Sequence, residues 1–79
     1  MRARIKKIYP EVDGLLSQMR TAVRDRRWDA ALVVNEKLCL HFKNGGEMEP
    51  RHFDEIRTLY GMAMSIKAEE TLGLQTPIV

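Results

Sequence analysis

The chain has 79 residues, a net charge of +2 and a mean hydropathy of −0.34, which leaves room for one domain with a small core. A chain this short buries only about 60% of its unfolded surface, so a disulfide, a metal or self-association is expected to supplement that core. The single cysteine excludes an intrachain disulfide, and Cys39, His41 and His52 lack the paired spacing of a structural zinc site, leaving no metal or cofactor expected and a homodimer as the remaining device.

Residues 1–9 form a basic segment carrying Arg2, Arg4, Lys6 and Lys7, read as a solvated tail. No aromatic residue is interleaved among those charges to stack on bases, which argues against single-stranded nucleic acid as a partner. The segment precedes no apolar run long enough for a signal peptide, and no window approaches the roughly 20 apolar residues that span a bilayer. With one cysteine, this points to a cytoplasmic protein. Charge is uneven along the chain: residues 1–27 hold eight Lys/Arg against three acids, and residues 28–79 hold five against eight.

A first helix is expected from Pro10, a favoured first-turn residue, with Glu11 and Asp13 suited to the positive end of the helix dipole. Val12, Leu15, Leu16, Met19, Ala22 and Val23 recur at three- and four-residue steps and form one narrow stripe. Gly14 weakens this helix by up to about 1 kcal/mol relative to alanine. A second helix is expected over about Trp28–Phe42, and nothing in the Asp25-Arg26-Arg27 patch forces a break from the first.

Trp28, Ala31, Leu32, Val34, Leu38, Cys39 and Phe42 make a wide apolar face on this second helix, with Cys39 read as a small core residue. Val33 and Leu40, seven residues apart, form another stripe, and a helix apolar on two faces needs two partners. Asn35 falls within the wide face, as a register-setting polar residue or an exposed edge position. Trp28, Val33, Asn35 and Leu40 are accordingly the expected dimer interface. Asn44-Gly45-Gly46 is a stop signal, because Asn and Gly adopt the left-handed conformation cheaply.

A third helix is expected from Pro50, capped at or near Glu49, to Gly73, with residues 74–79 as a tail. Phe53, Ile56, Tyr60, Ala63 and Met64 fall toward one edge of its apolar arc. Leu59, Met62 and Ile66 fall toward the other, bordered by Glu55 and Glu69. The arc is wider than a hairpin buries, and the second edge, Glu55, Leu59, Met62, Ile66 and Glu69, is the expected partner-binding face. The fold class is therefore all-α: two or three amphipathic helices in an antiparallel hairpin or small bundle, as a dimer.

No catalytic constellation accompanies these helices. There is no Gly-rich phosphate loop, no His-Glu-x-x-His and no paired carboxylates in a plausible cleft, so an enzyme is not expected. Cys39 and His41, two apart on a helix, point in different directions. His52, in the first turn of the third helix, suits a surface or capping role. A helix-turn-helix reader would need a polar, basic recognition helix. The second helix is too apolar for that and the third too acidic, so nucleic-acid binding through Arg20, Arg24, Arg26 and Arg27 is the least favoured class.

The stretch FKNGGEMEPRHFDEIRTLYGMAMSIKAEETL resembles part of the TraM family of quorum-sensing antiactivators. The matching pattern is an aromatic-Lys-x-Gly turn at Phe42 to Gly45, then Pro50, His52, Ile56, Met62, Ala68, Thr71 and Leu72, with a weaker echo in AVRDRR at Ala22 to Arg27. The likeness covers roughly residues 22–79 and not the longer N-terminal segment of that family. It implies a homodimer that captures a LuxR-type transcription activator and blocks its DNA binding, the acidic-edged apolar face meeting a basic DNA-reading region. Residues 17–37, SQMRTAVRDRRWDAALVVNEK, resemble instead a helix of FliT-type flagellar export chaperones, with Trp28-Asp29 after a basic turn. That resemblance implies an adaptor covering a helix of a secreted or flagellar protein. Both imply a helical protein that masks an apolar surface on another protein.

Overall fold

A computed structural model describes residues 8–72. The expected basic tail up to residue 7, the tail at 74–79 and the stop signal at Gly73 lie outside the described residues. Three helices follow in order, α1 (Pro10–Arg24), α2 (Trp28–Lys43) and α3 (Pro50–Thr71), each packed against both of the others. Among the described residues there is no strand, and no helix is long and apolar enough to cross a membrane.

The apolar stripes account for the packing. Val12, Leu16, Met19 and Ala22 of α1 meet Ala31, Val34 and Leu38 of α2 and Leu59 and Ala63 of α3 in one core. Leu15, Val23, Trp28, Leu32 and Ile56 pack half-buried around it. The buried stripe of α2 is centred on Ala31, Val34 and Leu38, and this rotation carries Cys39 to the exposed side instead of the core position expected for it.

The α1–α2 break is a Schellman motif. The Arg27 N–H donates to the Ala22 carbonyl at 2.8 Å, the Arg26 N–H to the Val23 carbonyl at 3.0 Å, and Arg26 takes a left-handed φ of 58°. The same motif ends α2, with Gly46 N–H to His41 O at 2.8 Å, Gly45 N–H to Phe42 O at 3.0 Å, and Gly45 at φ 93°. A methyl group at Gly46 would overlap the His41 ring, so the loop needs glycine there for space as well.

Gly14 and Gly61 lie inside helices, and an alanine methyl at either position would meet nothing within 4 Å. Gly14→Ala and Gly61→Ala are each expected to stabilise the fold by about 0.5–1 kcal/mol. A urea midpoint that fails to rise in either variant would show that the glycine serves a close approach from outside the chain.

Pro10 and Pro50 open α1 and α3, where a missing N–H is harmless. Their N-termini meet at a polar knot. His52 is buried, its Nδ1 accepts the Glu49 N–H at 2.8 Å, and Tyr9 stands edge-on to its ring with centroids 4.8 Å apart. The Tyr9 hydroxyl donates to Glu49 Oε2 at 2.7 Å, and Arg51 holds Glu49 Oε1 at 2.9 Å. These bonds lower the Glu49 carboxyl below its ordinary range, Tyr9 first and Arg51 next, and the bond to Glu49 raises the Tyr9 phenol. His52 thus takes the capping role expected of it, from a buried position.

Candidate functional site

Two seven-residue rows face each other between α2 and α3. Trp28, Asn35 and Phe42 descend α2, while Phe53, Tyr60 and Lys67 ascend α3 in antiparallel register. At one end Phe42 and Phe53 pack edge to face, with ring centroids 5.0 Å apart. At the other the Lys67 ammonium sits 5.4 Å from the Trp28 ring centroid, and the Trp28 indole N–H donates to Glu70 at 3.0 Å. In the middle Asn35, Phe53, Ile56, Arg57 and Tyr60 line a shallow open groove of about 360 Å³.

This face keeps large apolar side chains in water. Phe42 is 51% exposed, Tyr60 42% and Phe53 36%. Ring-to-ring contact between Phe42 and Phe53 shields those two rings only in part.

The residues expected to bind a partner are distributed differently. Leu59 and Ile66 are buried, so they are part of the interior and not of an open surface. Met62 stays exposed between two ion pairs: Glu55 with Arg20 of α1, and Glu69 with Arg26 of the α1–α2 turn. The acidic edge of α3 is therefore matched within the chain by α1 and the turn that follows it. The cause is the parallel course of α1 beside α3, which a helical wheel of α3 alone does not contain.

Of the residues expected at a dimer interface, Trp28 and Asn35 face α3 within the chain, both half-buried. Val33 and Leu40 remain outward, 51% and 52% exposed. Leu40 borders a second groove between α1 and α2, about 740 Å³ in volume, with Leu15, Gly14, Glu11, Lys37 and His41 around it. Phe42, Phe53 and Tyr60 were not among the expected site residues. Their signal was the coincidence of two seven-residue spacings, Asn35 to Phe42 and Phe53 to Tyr60, on helices joined by a short loop.

Among the described residues no group of three His, Cys, Asp or Glu side chains is placed to hold a metal ion. No protein-family model matches the chain, and neither a curated protein nor a solved structure matches it.

Proposed function

We propose that the protein is a binding module without enzymatic activity, an adaptor whose aromatic α2–α3 face covers an apolar helix of another protein. The observation that carries this reading is the adjacent, half-exposed set Phe42, Phe53 and Tyr60 beside an open interhelical groove. Exposed apolar surface of this kind marks interaction sites, and a groove between two helices suits an amphipathic helix as occupant. Masking works by mass action: a partner held on this face is withdrawn from its other associations.

Two partner classes fit that role in the cytoplasm. One is a LuxR-type transcription activator kept from DNA, as the TraM-like stretch implies. The other is a helix of a secreted or flagellar protein, as the FliT-like stretch implies. Glu55 and Glu69 pair with Arg20 and Arg26 within the chain, and a charged partner at that edge would exchange these exposed pairs for its own.

The test is a pull-down from bacterial lysate with the wild-type chain and a Phe53→Glu/Tyr60→Glu variant, each washed in high salt. A flagellar or secreted protein retained only by wild type supports the export-adaptor reading, and a LuxR-type activator supports the antiactivator one. Nucleic acid that washes away, with no protein retained, rejects both.

Self-association through the Val33–Leu40 stripe belongs to the same proposal. Val33→Glu with Leu40→Glu is expected to convert a homodimer to a monomer of unchanged helicity. An unaltered mass by light scattering would rule that stripe out as the dimer contact.

A further inference from the structure

Resting on self-association through the Val33–Leu40 stripe, we infer that two copies of this chain pair α2 against α2 in antiparallel register about a two-fold axis. Val33 then meets the second copy's Leu40, and Glu36 meets its Lys37. Successive helical residues turn by about 100°, so Val33, Glu36, Lys37 and Leu40 share one side of α2. All four are exposed. Asp29 lies about one turn before Val33 on that side, and Lys43 about one turn after Leu40. The row therefore reads acid, apolar, acid, base, apolar, base. Laid against its own reverse, it sets apolar on apolar and acid on base at every step. A parallel pairing would instead set Glu36 on Glu36 and Lys37 on Lys37.

These charges are not committed within the chain. Glu36, Lys37 and Lys43 form no ion pair with another described residue, and the Asp29 carboxylate accepts only the Ala30 N–H, at 2.8 Å. Each cross-pair would be exposed and weak, so the pairs set direction and register while apolar cover supplies the affinity. Leu40 borders the α1–α2 groove beside Leu15, so a second helix laid on the row also covers part of α1. A short chain without a disulfide gains from such cover. Asn35 and Phe42 each stand two positions from a stripe residue, about 200° around α2. The pairing thus leaves both aromatic α2–α3 faces open, one on each copy.

The experiment measures dimerisation of the full chain by sedimentation equilibrium at low salt, with circular dichroism to confirm folding. Glu36→Lys and Lys37→Glu each place like charges across the axis and are expected to weaken the dimer about tenfold. Glu36→Ala only deletes a pair and should weaken it no more than about threefold. An equal mixture of the Glu36→Lys and Lys37→Glu chains restores opposite charges at both contacts. It should form a mixed dimer of wild-type strength. A dimer indifferent to both reversals, or not recovered in the mixture, overturns the inference. If Val33→Glu with Leu40→Glu still dissociates that dimer, the stripe stands and only the register falls. A wild-type chain that is monomeric at every concentration overturns both. A dimer that Phe53→Glu dissociates and the reversals leave intact puts the contact on the aromatic face, and overturns the inference as well.

Discussion

Leu38→Ala is expected to remove about 2–5 kcal/mol, most of the stability a single core of this size supplies. Leu38 is wholly buried at the centre of α2, in the cluster where α1 and α3 also meet. Leu38 shares one close-packed core with the fully buried Leu16 and Met19, so a cavity there closes only by moving packed helices. At about 4–8 °C per kcal/mol for a domain near this length, the melting temperature should fall by roughly 10 °C or more. Glu36→Ala, two positions before Leu38 and exposed, is the control. It should stay within about 0.5 kcal/mol of wild type, as surface changes usually do. A small loss at Leu38, or a large one at Glu36, would mean that α2 presents a different face to the core.

The second large effect is expected at His52. His52→Ala leaves the Glu49 N–H without its acceptor, removes the edge-on contact with Tyr9 and opens buried volume at the start of α3. Loss of a helix cap costs about 1 kcal/mol, and the lost packing should bring the total to about 2–3 kcal/mol by urea denaturation. His52→Gln keeps an acceptor three residues after the cap and should recover about 1 kcal/mol of that loss. If glutamine and alanine destabilise alike, the imidazole acts through packing and not through the cap. The Nε2 atom sharpens the comparison. It is buried, 3.8 Å from an Asp13 carboxylate oxygen and without a hydrogen bond, so it contributes little that glutamine must replace.

Both effects rest on positions whose helical setting was legible in the sequence to different degrees. Three-residue and four-residue steps in Val12, Leu16, Met19 and Ala22 define the buried side of α1 because only one periodicity fits them. Pro10, Pro50 and the Asn44-Gly45-Gly46 stop locate three of the helix ends by backbone chemistry that acts within a few residues. The α1–α2 break was legible only in part: the Asp25-Arg26-Arg27 patch marked the place, but no residue there forced the chain to turn. It uses the same Schellman geometry as the end of α2, but with Arg26 at the left-handed position where glycine would have announced it. An L side chain there is locally unfavourable, and tertiary packing sustains it by holding the flanking helices in contact.

The candidate site divides in the same way. Residues of one helix share a face by spacing alone, so the Val33–Leu40 stripe and the Phe53–Tyr60 pair could be drawn from sequence. Which of two apolar edges a helix buries depends on where its neighbours lie. On α3, packing against α1 took Leu59 and Ile66 into the interior and paired Glu55 and Glu69 with arginines, leaving the aromatic edge toward α2 in the open. By itself, then, the sequence determined an all-helical chain, its helix-forming stretches and most of the α1 core, because these follow from local periodicity and turn chemistry. The rotation of α2, the burial of His52, the exposure of Cys39 and the choice of the α2–α3 face were decided only by the tertiary structure, because each depends on contacts between residues far apart in the chain.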